Sequence, residues 1–278
     1  MVAFTFMSCS AGTAGNSSAA VRANAATDTK TANENMTKVK LETSLGDIVV
    51  ELYNETPKHR DNFIKLVKEG FYDGVLFHRV INNFMIQAGD PESKTAGPDT
   101  PLGGGDPGYT IEAEFVYPKY FHKRGVLAAA RTGDEFNPER RSSGSQFYIV
   151  TGRIFSSEQL KSMLENLKQE TFRNLVMNNQ DKIAALQANQ DTEGINALQN
   201  EFIHQTEAVA AQSPYNFTDE QIDAYTSVGG APHLDGQYTV FGEVVEGMDV
   251  VDRIQNTTTG RMNRPTVDIK IIKASIVE

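Results

Sequence analysis

The stretch L-F-H-R-V-I-N-N-F-M-I-Q-A-G-D at residues 76–90 decides how the rest of the chain is interpreted. Two short apolar runs lie on either side of Asn82-Asn83, a pair that tolerates turn geometry. The pattern therefore predicts a strand, a tight turn and a second strand. Three polar side chains, those of His78, Arg79 and Gln87, interrupt the apolar runs.

Arg79 is the most informative of these three residues. Successive side chains of a strand point to opposite faces, so Arg79 is expected on the face opposite His78. Its closeness in sequence to Phe84 and Met85 indicates a fixed cationic donor at the edge of an apolar pocket. The alternative is that its methylene stem covers apolar surface while the guanidinium stays in water. The stretch alone leaves both interpretations open.

Four separated blocks of the chain resemble the signature of the cyclophilin family of peptidyl-prolyl cis-trans isomerases. They are F-H-R-V-I-x-x-F-M-I-Q-A-G-D (77–90), G-V-L-A-A-A-R-T (125–132), S-G-S-Q-F-Y-I (143–149) and H-L-D-G-Q-Y-T-V-F-G-E-V (233–244), in the order found in that family. The resemblance implies a mainly β fold, a closed eight-stranded antiparallel β-barrel capped by two helices. It also implies isomerisation of X-Pro bonds without a cofactor.

Composition excludes several other classes of protein. The formal charge of −10 over 278 residues argues against a general nucleic-acid binder, because phosphate contacts need clustered Lys and Arg. No stretch approaches the roughly 18 uninterrupted apolar residues of a membrane span. The five histidines show no metal-ligand spacing, so no metal site is expected; they are His59, His78, His122, His204 and His233.

The single cysteine, Cys9, follows the short apolar run M-V-A-F-T-F-M-S. This arrangement resembles the end of a bacterial lipoprotein signal, whose cysteine is lipidated. The basic n-region of such a signal is missing and the apolar run is short, and a start codon set too far downstream would explain both. We expect a lipid-anchored protein of the cell envelope (periplasmic), tethered to the membrane through Cys9. The alternative is a cytoplasmic protein with a disordered tail.

The chain divides into three parts by composition. Residues 1–37 hold the signal remnant and a tract rich in Ala, Ser, Thr, Asn and Gly, which cannot bury enough surface to fold and is expected to be a flexible tether. Residues 38–152 and 229–278 carry the strand patterns and the four blocks, and together form the predicted cyclophilin-like barrel.

Residues 153–228 are predicted to be a helical insertion, which the family resemblance does not cover. Apolar residues recur at helical spacing over 158–189 and again from Ile195 to Val209, which predicts two long helices in an antiparallel α-helical hairpin and then a short third helix. The insertion has five basic and eleven acidic residues. The hairpin is a candidate contact for a partner, for substrates or for dimerisation; alternatively its apolar stripe only packs the hairpin together and onto the barrel.

The resemblance also assigns candidate site residues. It implies that Arg79 is the catalytic donor, that Gln87 assists it and that Gln146 supports it. The residues implied to contact the proline or the extended peptide are His78, Phe84, Met85, Ala130, Arg131, Gln146, Tyr148, His233, Leu234 and Tyr238.

Three of these positions depart from the common family pattern. Tyr148 stands where phenylalanine is common, and Tyr238 where histidine often occurs. His233 stands where many cyclophilins have the tryptophan that contacts cyclosporin, and this chain contains no tryptophan. Loss of the indole N–H and its large ring face predicts weak cyclosporin binding.

We therefore expect a prolyl isomerase that assists folding of exported proteins and binds proline-containing peptides and unfolded or partly folded chains. Two rival functions stay open. One is a peptide-binding or chaperone module whose working surface is the hairpin. The other is a scaffold protein that dimerises through the hairpin.

Overall fold

A computed structural model describes residues 36–277 of the chain. The predicted signal remnant with Cys9, and the predicted tether as far as residue 35, lie outside the described residues. The strands are β1 (Lys38–Thr43), β2 (Gly46–Leu52), β3 (Arg79–Ile81), β4 (Met85–Ala88), β5 (Thr110–Ile111), β6 (Val126–Ala129), β7 (Ser142–Ser143), β8 (Phe147–Val150), β9 (Val240–Glu246) and β10 (Ile271–Val277). The helices are α1 (Pro57–Lys68), α2 (Ser157–Asn178), α3 (Gln180–Ala188), α4 (Thr192–Ala211), α5 (Asp219–Ser227) and α6 (Met248–Gln255).

Eight strands form one curled sheet in the order β10-β1-β2-β9-β6-β8-β4-β3, with antiparallel pairing throughout, and β5 and β7 form a separate two-stranded ribbon. The predicted closed barrel is wrong: the sheet is open, with β10 and β3 at its edges. β3 has only three residues and forms no ladder with β10. One isolated bridge, Leu76 to Lys270, and backbone hydrogen bonds from Phe77 to Ile269 and from Gly74 to Ile271 join the two edges.

The main core lies between one face of this sheet and two helices, α1 and α6. Pro57 is in the first turn of α1, where its missing N–H costs nothing. Phe63, Leu66 and Val67 of α1 are buried in one cluster with Val251 and Ile254 of α6 and with alternate residues of the strands. These contacts fix the position of the strands, and therefore also the position of the residues on the opposite face of the sheet.

The insertion is helical, as its periodicity predicts, but it has four helices. Ser156 caps α2 in a reciprocal arrangement with Gln159, and Thr218 caps α5 with Gln221 in the same way. The predicted first long helix is interrupted at Asn179, whose φ of −119° and ψ of 23° separate α2 from α3. Asparagine is a poor helix former because its side chain competes for the backbone.

The apolar stripe of the insertion packs largely within the insertion. Leu198, Phe202 and Ala210 of α4 are buried, and the rings of Phe172 and Phe202 meet edge to face at 6.2 Å. At the base of the insertion, Phe121, which lies outside the insertion, joins Phe155, Leu160 and Tyr225 in a separate buried cluster. None of the helices within residues 36–277 is long and apolar enough to cross a membrane.

The two ends of the insertion are paired where they leave the sheet, at a point that we call the neck (residues 152–153 and 229–230). The Gly230 N–H donates to the Arg153 carbonyl at 3.0 Å, and the Arg153 N–H donates to the Gly230 carbonyl at 3.2 Å. Gly152 has φ +56°, and a Cβ there would lie 2.4 Å from the Cα of Gly230. Only glycine allows the two backbones to approach this closely.

Candidate functional site

A cavity of about 830 Å³ opens on the face of the sheet formed by β3, β4 and β8. Ten of the twelve predicted catalytic and substrate-binding residues line it: His78, Arg79, Phe84, Met85, Gln87, Ala130, Arg131, Tyr148, Leu234 and Tyr238. The other two predicted residues lie next to these. Gln146 is bonded behind Gln87, and the ring of His233 packs against Phe84 with 5.3 Å between centroids.

The register of β3 and β4 positions the polar part of the site. Arg79 lies opposite Gln87, and the next pair along the two strands, Val80–Ile86, is buried in the main core. Residues two apart on a strand share a face, so Met85 and Gln87 both face the cavity. Asn83 has φ +57° in the connecting turn, a conformation that asparagine tolerates better than most residues. The predicted strand–turn–strand of residues 76–90 is confirmed in this form.

Arg79 begins a chain of hydrogen bonds that runs through Gln87 and Gln146 to the loop of Gly103 and Gly105. Its Nη1 donates to Oε1 of Gln87 at 3.1 Å, and Nε2 of Gln87 donates to Oε1 of Gln146 at 3.0 Å. Nε2 of Gln146 donates to the carbonyls of Gly103 (3.0 Å) and Gly105 (2.7 Å). The side-chain amides of Gln87 and Gln146 each have one orientation in which the oxygen accepts and the nitrogen donates in this sequence. The chain therefore holds the Arg79 guanidinium on its Gln87 side. Partial burial lowers the pKa of Arg79, but an arginine keeps its charge at neutral pH.

Asp90 anchors the far end of that chain and was absent from the residues predicted from the sequence. Its carboxylate is fully buried and accepts hydrogen bonds from the N–H groups of Glu92, Gly103 and Gly105. A Cβ on Gly105 would lie 2.2 Å from Oδ1 of Asp90, so no larger residue fits. The loop that receives the Gln146 side chain is therefore fixed to the end of β4.

His78 lies behind Arg79 at the wall of the cavity and is 3% exposed. Burial lowers its pKa from 6.5 to about 4, so the imidazole is uncharged at neutral pH. A neutral ring adds no repulsion to the guanidinium beside it. Its edge packs near Gly103 of the same loop.

The apolar part of the cavity is made by Phe84, Met85, Leu234 and Tyr148, which belong to a second buried cluster on this face of the sheet. Met85 is 1% exposed, Tyr148 4% and Leu234 9%. Rigid, closely packed walls of this kind suit a compact apolar ring and exclude water.

Arg131 and Ala130 form the opposite rim. The guanidinium of Arg131 lies over the Tyr238 ring, 4.4 Å from its centroid, and Nε donates to the Gln237 carbonyl at 3.0 Å. The Ala130 N–H donates a hydrogen bond to the Gln146 carbonyl, and the Ala130 C=O accepts one from the Ser143 N–H. Within residues 36–277, neither the N–H nor the C=O of Arg131 bonds to another main-chain group.

The sequence did not reveal the rest of the cavity wall. It comes from two loops, 98–103 and 260–268, that carry no strand or helix pattern. Arg264 joins them: its Nη1 donates to the Gly97 carbonyl at 2.7 Å and its Nη2 to Asp268 at 3.0 Å. Within the described part of the chain, no group of three His, Cys, Asp or Glu side chains is arranged to hold a metal ion.

Comparison with known proteins gives consistent results. The family model described as "Cyclophilin type peptidyl-prolyl cis-trans isomerase/CLD" matches residues 38–276. A protein of Staphylococcus aureus (strain COL), named "Putative peptidyl-prolyl cis-trans isomerase", is 30% identical over 242 residues, 87% of this chain and 92% of the relative. A protein of the same name from Staphylococcus epidermidis is 29% identical over 250 residues, 90% of this chain and 96% of the relative.

Two crystal structures of a cyclophilin type peptidyl-prolyl cis-trans isomerase from Cryptosporidium parvum are similar in fold. One has a TM-score of 0.51 at 20% identity and covers 88% of this chain and 99% of its own. The other, determined in the presence of the dipeptide Ala-Pro, has a TM-score of 0.50 at 20% identity and covers 87% of this chain and 99% of its own.

Proposed function

This chain belongs to the family of cyclophilin-type peptidyl-prolyl cis-trans isomerases, and we propose that it uses Arg79 to speed X-Pro bond rotation in client proteins and so assists their folding. Amide resonance sets a barrier of about 18–20 kcal/mol, and uncatalysed exchange takes about 10–100 s. No covalent bond breaks in the reaction, so it needs no nucleophile, general base or metal.

The chemical task is to bind the twisted amide more tightly than the planar one. When the bond twists, the nitrogen lone pair leaves the carbonyl and becomes a hydrogen-bond acceptor. A donor aimed at this nitrogen interacts with the transition state only, which is the condition for catalysis. A reduction of the barrier by about 7 kcal/mol gives roughly a 10⁵-fold acceleration.

The observation that carries the proposal is the position of the Arg79 guanidinium. It lies at the cavity wall beside the apolar pocket of Phe84, Met85 and Leu234, and a hydrogen bond to Gln87 restrains it there. A proline ring seated in that pocket brings its amide nitrogen within reach of the free edge of the guanidinium. The bidentate, permanently charged group is pre-organised for this donation.

Two further features support binding of an extended proline peptide. The main-chain N–H and C=O of Arg131 are available at the rim for strand-like pairing, a common mode of peptide recognition. In addition, the Cryptosporidium parvum protein of similar fold was crystallised in the presence of Ala-Pro, a proline dipeptide.

A proline-peptide isomerisation assay tests the proposal. We expect the wild-type protein to be active and Arg79→Ala to lose about 10²-fold or more in kcat/KM, the typical loss when one transition-state donor is removed. Arg253→Ala is the matched control, because Arg253 is an exposed arginine of α6 paired with Asp249. If Arg79→Ala keeps the kcat/KM of the wild-type protein, Arg79 is not the transition-state donor.

We extend the proposal to the location of the protein. The apolar run before Cys9 and the composition of residues 10–37 support a lipid-anchored enzyme of the cell envelope that acts on exported chains. Mass spectrometry of the native N-terminus tests this: we expect an acylated Cys9 as the first residue. An unmodified Cys9 within a longer native N-terminus supports the cytoplasmic alternative.

A further inference from the structure

A buried chain of four polar side chains connects the helical insertion to the wall of the cavity. The Tyr225 hydroxyl of α5 donates to Oδ2 of Asp235 at 2.7 Å. Oδ1 of Asp235 lies 2.8 Å from the main-chain N of His122 and 3.0 Å from its Nδ1. Nε2 of His122 lies 3.0 Å from the Tyr148 hydroxyl. Tyr148 is a cavity residue, whereas Tyr225 belongs to the insertion.

The chemistry of the four groups orders the protons along this chain. An ionised carboxylate only accepts hydrogen bonds, so Asp235 accepts one from the Tyr225 hydroxyl on Oδ2 and two from His122, from its main-chain N–H and its Nδ1–H, on Oδ1. With its proton on Nδ1, a neutral imidazole offers a lone pair at Nε2, which the Tyr148 hydroxyl fills. Burial raises the pKa of Tyr148 and of Tyr225, so both phenols keep their protons at neutral pH.

All four side chains are buried, so the loss of any one of these hydrogen bonds is energetically costly. Tyr225 and Asp235 are 0% exposed, His122 is 1% exposed and Tyr148 is 4% exposed. A buried donor or acceptor that loses its partner bears the full cost of leaving water, so the four side chains hold one another in one arrangement.

The position of Tyr225 is itself tightly determined. Its ring meets those of Phe121, Phe155 and Phe217 edge to face at 5.6, 6.3 and 5.7 Å. A Cβ on Gly230, in the neck, would lie 2.4 Å from its Cε1. The base of the insertion therefore presents the Tyr225 hydroxyl to Asp235 at a fixed point.

We propose that Tyr225 is a positioning residue for the proline pocket: it orients Asp235, which fixes the ring and tautomer of His122, which in turn holds Tyr148 at the pocket wall. The inference rests on the isomerase function proposed above. Asp235 also follows the pocket residue Leu234 directly, so its main chain is joined to a second residue of the pocket. On this reading the insertion is part of the catalytic unit.

A double-mutant cycle on Tyr225 and Tyr148 tests the inference. We expect Tyr225→Phe to lower kcat/KM by about fivefold, the effect of one ordinary hydrogen bond. The loss should appear in KM, because the pocket holds the proline ring in both the ground state and the transition state. In a Tyr148→Phe background, where the chain no longer reaches the pocket, Tyr225→Phe should change kcat/KM by less than about twofold.

Tyr215→Phe is the matched control, since Tyr215 is a tyrosine of the same insertion whose hydroxyl makes no bond to these four groups. It should leave kcat and KM at wild-type values. Equal losses from Tyr225→Phe in both backgrounds, or a loss in kcat with KM unchanged, overturn the inference.

A measurement on the wild-type protein makes the test independent of variants that fold poorly. ¹⁵N NMR of His122 should show a protonated Nδ1 and an unprotonated Nε2; a protonated Nε2 overturns the inference. Failure of the isomerase function is separate, because it appears as inactive wild-type protein or an active Arg79→Ala. If the isomerase function fails, the Tyr225/Tyr148 cycle can be measured as the Kd of a proline peptide. Effects of the two substitutions on Kd that are coupled support the inference, and effects that are additive overturn it.

Discussion

Gln87 lies directly opposite Arg79 across the β3–β4 pair, and its Oε1 accepts a 3.1 Å hydrogen bond from Nη1 of Arg79. Gln87 is in turn held by Gln146, which is 6% exposed and does not line the cavity. The guanidinium thus depends on a residue with no access to substrate.

This relationship predicts the effect of Gln146→Leu. The leucine cannot bond to Gln87 or to the carbonyls of Gly103 and Gly105, so Gln87 and then Arg79 lose their fixed orientation. We expect kcat to fall about tenfold, since small misplacements of a catalytic group are costly, while KM changes little. Single-turnover isomerisation kinetics measure this. If KM rises and kcat is preserved, Gln146 acts on binding and not through Arg79.

A second prediction concerns stability against acid and follows from His78. The unfolded chain takes up a proton on this residue near pH 6.5, whereas the folded protein does so only near pH 4. Between these values protons favour the unfolded state, so the free energy of unfolding should fall as the pH is lowered through this window. His78 alone should lower the free energy of unfolding by an amount on the order of 3 kcal/mol across this window. Below about pH 4 it should cause no further change with pH.

Urea unfolding of wild type and His78→Gln from pH 4 to pH 7 measures the contribution of His78 to the pH dependence of the free energy of unfolding. The variant should show a shallower dependence on pH, because glutamine does not titrate. His204→Gln, at an exposed position on α4, is the control and should keep the wild-type slope. Identical slopes for wild type and His78→Gln contradict the assignment. Burial also lowers the pKa of His59, which adds a slope of the same sign to all three proteins.

A third prediction addresses the neck of the insertion. Gly152→Ala adds a Cβ 2.4 Å from the Cα of Gly230, at a residue with φ +56°. Both the clash and the backbone strain oppose folding, and we expect a loss of about 2 kcal/mol or more in the free energy of unfolding. Gly133→Ala is the control, because a Cβ there has no neighbour within 4 Å and φ is outside the left-handed region. Equal stability of the two variants would disprove the tight approach at the neck.

A fourth prediction concerns inhibition by cyclosporin. His233 presents a small exposed ring against Phe84, where many family members present an indole. The purified protein should therefore be a poor target, and His233→Trp should bind cyclosporin about tenfold more tightly through added ring area and an N–H donor. Titration of isomerase activity with cyclosporin measures both. Nanomolar inhibition of the wild-type protein would show this expectation to be false.

Local signals in the sequence were enough for the central part of the site. Alternation of apolar and polar residues around Asn82-Asn83 predicts β3, β4 and their turn, and the register then sets Arg79 against Gln87. The open edge between β3 and β10 was not predictable in this way, because it depends on how residues 74–77 meet residues 269–271, nearly 200 positions away. A three-residue strand gives too little pattern to show that it ends early.

The polar chain behind Tyr148 lies outside what such patterns reveal. His122 and Asp235 are 113 residues apart, and neither has a neighbouring residue that signals the other. The one available hint was the hydroxyl of Tyr148 itself, since a buried tyrosine needs a hydrogen-bond partner. The helix break at Asn179 had a local signal, the pair Asn178-Asn179, which the apolar periodicity concealed.

The paired backbones of Arg153 and Gly230 have a consequence for how this domain can change over evolutionary time. They join the two ends of the insertion at adjacent points, so the sheet meets the added chain as it would meet a short turn. The entropy of closing a loop rises only with the logarithm of its length. Segments of quite different length and sequence can therefore be grafted at this junction without redesign of the strands, provided that whatever is grafted still offers the carboxylate of Asp235 a hydroxyl or an equivalent donor.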